Sequence, residues 1–262
     1  MAIKKEKYDL ICSLGTMCAA AQNIRRRGLR HYSLPFDWCY MTNEKPLEYL
    51  CEGFRNNFQN FLLKDNLKEL IGEERNNNHN NAEQYKDTYT GYYFVNHFPL
   101  GKTLDESYEK TYSTVRRRLD RLYKKVKNSK KILFVLSPTF KLDIKYVDLL
   151  SNSLKELYPE KIIHFYIIQF NSDKDEDIIL NENIKIRKIT RDTNLYDFLQ
   201  TNNEWDFLDT LDININIDLM FKIFKIKKGI ALHFFQNIPT IFRLKTYLFG
   251  CRFDFCIGKI RD

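Results

Sequence analysis

The chain has few cysteines, and their spacing does not match a metal site or a disulfide framework. The six cysteines are Cys12, Cys18, Cys39, Cys51, Cys251 and Cys256, and no two of them form a CxxC pair. No Cys/His cluster has the spacing of a zinc site, so we expect neither a metal nor a cofactor. A disulfide framework is unusual in a chain of 262 residues with so few cysteines. We therefore expect free thiols and a reducing, cytoplasmic location.

Long apolar runs and several common functional motifs are also missing. No apolar run reaches the roughly 20 residues that span a bilayer, so we expect no membrane span. The charged start of the chain, Met1–Lys7, lacks the apolar core of a signal peptide. There is no P-loop, GxGxxG or GxSxG motif, and no recognisable RRM or KH pattern.

The charge balance is basic, with 42 Lys and Arg against 34 Asp and Glu and a formal net charge of +8. Such a chain could bind nucleic acid, phosphate or an anionic surface. The lysines are spread along the whole length, which is typical of a solvated surface, so nucleic-acid binding is not the favoured function. Two arginine clusters are denser: Arg25–Arg27 with Arg30, and Arg116–Arg118 with Arg121. We expect the second cluster to be the solvated face of an amphipathic helix.

Strand and helix patterns alternate along most of the chain. The strands are predicted at Tyr8–Ser13, Gly91–Phe98, Ile132–Leu136, Ile162–Phe170 and Ile184–Ile189. The helices are predicted from a Thr16 cap to Arg27, within Pro46–Phe61, and at Asp105–Asn128, Ile144–Leu157 and Asn194–Gln200. This alternation predicts an α/β fold, in which helices flank a mostly parallel central sheet in three layers with irregular insertions.

No linker is long enough to separate independent domains, so we expect one domain over residues 1–262. Residues 64–90 contain the asparagine-rich run Asn76–Asn81 and are expected to form a polar surface insertion. Residues 206–262 show no period that assigns a structure, and the oligomeric state is open.

Cys18 is the candidate nucleophile. It follows a strand and the turn Ser13-Leu14-Gly15-Thr16, and it lies in the first turn of a predicted helix. Unpaired amides and the helix dipole favour a thiolate at that position. Amides of the turn around Ser13 and Gly15 could hold an oxyanion. In the alternative interpretation, Cys18 is a small apolar residue that packs the helix onto the sheet.

His97 is the best candidate base among five histidines. It ends the strand GYYFVNH, where a side chain can face a pocket. His79 lies in the asparagine run, His164 is expected in the core, and His31 and His233 have no clear place.

Asp37 lies between Phe36 and Trp38, where a partly desolvated carboxylate could orient a histidine. Equally, it could cap a turn or pair with Arg30. Arg25 and Arg30 could bind a phosphate or carboxylate of the substrate, or could belong to a charged helix face. With Ser13, Gly15 and Trp38, they complete the expected substrate-binding set.

The stretch SLGTMCAAAQNIRRRGLRHYSLPFDW closely resembles a family of uncharacterised domains described as papain-like cysteine peptidases. The similarity covers about residues 8–137 and includes VNHF and the segment RRRLDRLYKKVKNSKKILFVL. It implies Cys18 as nucleophile, His97 as base and Asp37 as the residue that orients His97. Phe98-Pro99 follows His97 where we expect an acidic residue in this family. The name also implies a helix against an antiparallel barrel, but the strand–helix alternation favours a parallel sheet.

Three functions follow as hypotheses. The first is an intracellular thiol hydrolase or acyltransferase, acting on a peptide, acyl or anionic glycan-type substrate, so we lean towards an enzyme. The second is a transferase or sugar-modifying enzyme that binds an anionic, nucleotide-linked substrate with Arg25 and Arg30 while Cys18 is structural. The third is a non-enzymatic module that binds partners through its basic surface.

Overall fold

The structure is a computed structural model that describes residues 5–30, 32–76, 81–190, 203–213, 242–248 and 251–257, the last two ranges as backbone. The α-helices are α1 Cys18–Arg26, α2 Lys45–Asn56, α3 Leu104–Asn128 and α4 Ile144–Leu157. The strands are β1 Glu6–Tyr8, β2 Leu10–Ser13, β3 Cys39–Tyr40, β4 Leu67–Glu69, β5 Ala82–Asp87, β6 Tyr93–Pro99, β7 Lys131–Leu136, β8 Ile162–Gln169, β9 Glu176–Ile179, β10 Ile184–Lys188, β11 Leu211–Ile213, β12 Phe242–Leu248 and β13 Cys251–Ile257. Contacts divide the chain into two units, residues 1–213 and 214–262.

The first unit is built on a five-stranded sheet with the order β2-β7-β8-β10-β9. The first four strands are parallel, and β9 pairs antiparallel with β10 at the edge. Strand β7 is buried along nearly its whole length, as expected for a parallel strand covered on both faces. The predicted mostly parallel sheet is therefore confirmed.

Helices cover both faces of this sheet. Leu10 and Cys12 of β2 point into a core that also contains side chains of α2, α3 and α4. Ile11, between them in the sequence, belongs to a second core with Ala19, Ala20 and other residues of α1. Because successive side chains of a strand point to opposite faces, the two cores lie on opposite sides of the sheet. The predicted three-layer arrangement is confirmed.

A second, antiparallel sheet has the order β3-β6-β5-β4. It includes β6, which was predicted as a strand, but also β4 and β5, which lie in the expected polar insertion of residues 64–90. Strand β5 was not predicted, because most of its residues are polar. Gln84 and Asp87 are fully buried, and hydrogen bonds satisfy them: Asp87 accepts from the amides of Leu62 and Thr90, and Gln84 accepts from the Asn76 amide.

The helices largely follow their predicted ranges. Along α3 the buried side chains include Tyr108, Val115, Leu119 and Leu122, which is the predicted apolar stripe. The predicted cap of α1 is wrong: Met17 is the N-cap residue and has no side-chain capping bond. The Thr16 hydroxyl instead accepts a hydrogen bond of 2.6 Å from the Ser137 amide and so ties the turn to the end of β7.

Other predictions fall partly outside the described residues. The helix expected at Asn194–Gln200 lies outside them, as does most of the stretch 206–262. Within that stretch, a 3-10 helix Asn203–Thr210 is followed by β11, which pairs parallel with β1. In the second unit, β12 and β13 pair antiparallel. The single domain over residues 1–262 stays a prediction. Within the described ranges, no helix combines the length and hydrophobicity needed to cross a membrane.

The turn between β2 and α1 requires glycine at position 15. Gly15 has a φ of +76°, and an added Cβ would lie 3.0 Å from both the Phe36 carbonyl oxygen and the Tyr92 ring. Gly28, after α1, has a similar φ of +71° but nothing within 4 Å of a Cβ. The two positions therefore differ in steric space and share the same backbone strain.

We expect Gly15→Ala to lower the free energy of unfolding by about 2–4 kcal/mol, because it adds a clash in a packed site to the cost of a left-handed alanine. The matched control Gly28→Ala should cost only about 1 kcal/mol, from backbone strain alone. Urea denaturation of the full chain measures both. Equal losses in the two variants would contradict the steric argument.

Candidate functional site

A cavity of about 700 Å³ lies where the start of α1, the end of β6 and the first half of α3 meet. Parts of all three elements contribute polar side chains to it. Its lining residues are Met17, Cys18, Gln22, Trp38, Asn81, Asn96, His97, Pro99, Lys102, Glu106, Ser107, Lys110, Thr111, Thr114, Val115 and Arg118. The volume is within the range of small-molecule sites.

Cys18 is the first residue of α1 and is half-buried on the cavity wall. Burial raises the pKa of its thiol, and this effect is only partly offset by hydrogen bonds from its own amide and from the Gln22 side chain. The helix N-terminus was expected to favour a thiolate. In the structure desolvation is the larger effect, because it disfavours the charged form of a thiol.

His97 lies near the carboxyl end of β6 and faces the same cavity. Both ring nitrogens are buried and have no hydrogen-bond partner among the described residues. Its ring packs edge-on against Phe94, with the centroids 5.1 Å apart. Burial, with a smaller contribution from the Arg118 charge, lowers the pKa of His97 to about 3. The imidazole is therefore neutral near pH 7, and its protonation in the empty cavity is unfavourable.

Asp37 is fully buried and forms an ion pair with Arg30, whose side chain is 7% exposed. The same carboxylate oxygen accepts a hydrogen bond of 2.8 Å from the Leu34 amide. Burial raises the pKa of Asp37 to about 6, although Arg30 opposes this shift. No hydrogen bond links Asp37 to His97, since neither nitrogen of that ring has a described partner. The pairing with Arg30 is thus what the structure shows, and an orienting role for Asp37 stays a prediction.

Of the five expected substrate-binding residues, only Trp38 lines the cavity. Ser13 and Gly15 are buried in the turn, where the Gly15 amide donates to the Ser13 hydroxyl at 3.2 Å. Arg25 is exposed on α1, and the guanidinium of Arg30 is engaged by Asp37. The structure therefore gives Arg25 and Arg30 no place in this cavity.

The sequence patterns did not mark Gln22 or Arg118 as site residues. Gln22 follows Cys18 by one helical turn, so an i, i+4 spacing after Cys18 was the available signal. Arg118 belongs to the cluster that was expected to be a solvated face. Arg117 is exposed as expected, but Arg116 donates to the carbonyls of Asn57 and Phe58, and Arg118 lines the cavity. Three consecutive residues of a helix point in different directions, so adjacent arginines need not share one environment.

The other histidines do not add to the site. His164 of β8 is partly buried and shares a hydrogen bond of 2.7 Å with the Tyr8 hydroxyl. His31, His79 and His233 lie outside the described residues. In the part of the chain that the structure describes, no three His, Cys, Asp or Glu side chains are grouped as a metal site requires.

We expect Asp37→Asn to lower the free energy of unfolding by about 3–5 kcal/mol, because it leaves the Arg30 charge buried without its counter-ion. The double variant Arg30→Met, Asp37→Leu should be more stable than Asp37→Asn, since it removes both charges. Urea denaturation at neutral pH compares the three proteins. A double variant less stable than Asp37→Asn would contradict the argument from an unpaired charge.

His97 gives the fold a pH dependence. Its folded pKa is below the ordinary value of 6.5, so the unfolded chain takes up a proton first as the pH falls. The native state should therefore lose stability between about pH 6.5 and pH 3. Between pH 7 and pH 5 we expect wild type to lose about 1–2 kcal/mol more than His97→Gln. Denaturation of each protein at both pH values tests this, and identical losses would contradict it.

Residues 9–173 of the chain match a domain family, DUF1796, whose description is "putative papain-like cysteine peptidase". The match covers more than half of the chain and includes the cavity residues from Met17 to Arg118. No curated protein and no solved structure matches the chain. By the extent of the family match, the chain belongs to this family.

Proposed function

We propose that the protein is a cysteine-dependent hydrolase or acyltransferase, with Cys18 as nucleophile and His97 as general base. One observation carries the proposal: both side chains line the same cavity, and the imidazole has two buried nitrogens without a partner. A buried polar group without a partner is costly and calls for an explanation. A proton donor that arrives during catalysis is one such explanation.

The reaction starts from a neutral thiol and a neutral imidazole. As the Cys18 sulfur attacks a substrate carbonyl carbon, its proton passes to His97 and a carbon–sulfur bond forms. The carbonyl electron pair moves to oxygen. When the tetrahedral intermediate collapses, the leaving group departs with the proton from His97, and a thioester remains on Cys18. Water or an acceptor then attacks the thioester, and His97 again takes up and returns the proton.

The developing oxyanion needs donors near Cys18. The amides of Leu14 and Gly15 are engaged by the Val135 carbonyl and the Ser13 hydroxyl, so they are poor candidates. The Gln22 side chain lies on the cavity wall and bonds to the Cys18 thiol. The first-turn amides of α1 have no intrahelical acceptor, and Met17 supplies no side-chain cap. We assign the oxyanion to the Gln22 amide group and to these first-turn amides.

The family description supports peptides as the substrate class, and the same chemistry would serve other acyl groups. Cys12, Cys18, Cys39 and Cys51 are free thiols. A reducing compartment such as the cytoplasm, in which such thiols stay reduced, remains part of the proposal.

A chromogenic acyl ester, p-nitrophenyl acetate, tests the nucleophile. We expect wild type to release p-nitrophenolate and to carry an acetyl thioester on Cys18, which peptide mass spectrometry locates. Cys18→Ala should abolish both signals. His97→Gln should slow the release by about 10²-fold or more, as loss of a general base does.

Cys51→Ala is the matched control, because Cys51 is also a half-buried thiol but lies on α2 away from the cavity lining. This variant should keep wild-type release and labelling. Circular dichroism of each variant establishes that the fold is intact. A folded Cys18→Ala protein that releases p-nitrophenolate at the wild-type rate would exclude Cys18 as the nucleophile.

A further inference from the structure

The cavity beside Cys18 carries more positive than negative charge. Lys102, Lys110 and Arg118 contribute three cationic side chains to its wall, and Glu106 contributes one carboxylate. All four belong to α3 or to the segment just before it. A single carboxylate cannot balance three cations, so the local potential depends on which of these groups is already paired.

Glu106 is engaged within the helix cap. One of its carboxylate oxygens accepts a hydrogen bond of 2.8 Å from the Thr103 amide and another of 2.9 Å from the Thr103 hydroxyl. The Glu106 amide in turn donates to the Thr103 hydroxyl, which completes a capping box. The carboxylate is thus held at the start of α3 and forms no ion pair with a described residue.

Arg118 is a cation of the cavity that forms no direct ion pair or hydrogen bond with a described residue. Its guanidinium is partly buried, which lowers its pKa, and the charge of Asp37, which is itself paired with Arg30, opposes this shift. Other sequestered arginines of the chain are satisfied: Arg30 by Asp37, and Arg116 by Asp120 and two backbone carbonyls. Partial burial removes some of the water around this guanidinium, and a ligand bound in the cavity could supply hydrogen-bond acceptors in place of that water. Lys102 and Lys110 also form no ion pair within the described part of the chain.

We propose that the cavity recognises its substrate through an anionic group, a carboxylate or a phosphate, that binds the Arg118 guanidinium with Lys102 and Lys110 alongside. The planar fork of arginine matches either group with two parallel hydrogen bonds. This inference rests on the proposed function for the chemistry at Cys18, and it adds the substrate class. The reacting carbonyl would lie at Cys18, and the anionic group would bind on the α3 side of the same cavity.

Binding of this kind would also act on His97. The charged groups that line the cavity with His97 are Lys102, Glu106, Lys110 and Arg118, beside the Cys18 thiol. Of these, the Arg118 charge disfavours the protonated imidazole. An anion on Arg118 offsets that charge, so His97 becomes a stronger base when the substrate is in place. Recognition of the substrate and proton transfer to His97 then both depend on the Arg118 side chain.

Calorimetric titration of the full chain with inorganic phosphate and, separately, with glutarate tests the anion site without using the thiol. We expect at least one of the two anions to bind wild type. The one that binds identifies the preferred group, phosphate or carboxylate. Arg118→Gln should weaken binding about tenfold or more, the effect of losing a charge-assisted hydrogen bond.

Arg117→Gln is the matched control. It removes the same charge from the adjacent residue, which is exposed and does not line the cavity. It should bind either anion as wild type does. Failure of both anions to bind wild type would overturn the proposal, and so would an unchanged affinity in Arg118→Gln.

Alkylation of Cys18 places the anion site next to the thiol. Iodoacetate and iodoacetamide react alike, with the thiolate sulfur displacing iodide, but only iodoacetate carries a carboxylate. We expect the rate ratio of iodoacetate to iodoacetamide at Cys18 to exceed that of free cysteine and to fall about tenfold in Arg118→Gln but not in Arg117→Gln. A wild-type ratio no greater than that of free cysteine would count against an anion site at Cys18.

The outcomes separate the two proposals. Anion binding that depends on Arg118, together with no acetyl thioester on Cys18, would uphold the anion site and reject the acyl chemistry. An acetyl thioester on Cys18 without anion binding would uphold the acyl chemistry and reject the anion site. If neither alkylating reagent labels Cys18, the calorimetric titration decides the anion site alone.

Discussion

A hydrogen bond from the Tyr92 hydroxyl to the Leu14 carbonyl, 2.8 Å long, joins the turn before α1 to the segment before β6. Around it, Gly15 packs against Phe36 and the Tyr92 ring, and the Phe36 and Tyr92 rings stack at 5.3 Å. The turn presents Cys18, and β6 presents His97. The distance between Cys18 and His97 is therefore set by packing in the core, which holds side chains in place more firmly than surface loops do.

The buried ion pair of Asp37 and Arg30 also holds this region in place. Asp37 directly follows Phe36 in the sequence, and its carboxylate accepts a hydrogen bond from the Leu34 amide. An ion pair this deep gives little net stability, because desolvation offsets the attraction between the charges. Its value is geometric: breaking either partner leaves a charge without a counter-ion, so the segment that carries Trp38 to the cavity has one favourable arrangement.

Elements whose hydrophobic residues follow a single period could be predicted from the sequence. Elements that also bury polar side chains were missed. The stripe on α3 and the apolar runs of β7 and β8 depend on burial alone, and hydrophobic spacing reports burial directly. Strand β5 buries the polar side chains of Gln84 and Asp87, which are satisfied by hydrogen bonds, and its polar composition therefore indicated a loop. Cys18 and His97 could be nominated from their positions at element ends. That both residues line one cavity could not be predicted, because this depends on how α1, β6 and α3 meet in the fold. Arg118 was missed for the same reason.

Under the proposed function, the electrostatics of the empty cavity favour activation by the substrate. Burial raises the pKa of Cys18 and lowers that of His97, so both groups are neutral in the empty cavity. A preformed thiolate–imidazolium pair would be reactive towards any electrophile in the cell. Here burial is the main reason that the charge-separated state is disfavoured, and the Arg118 cation beside His97 adds to the penalty. The anionic substrate that we propose would offset the Arg118 charge when it binds, and so would favour the reactive state in the complex.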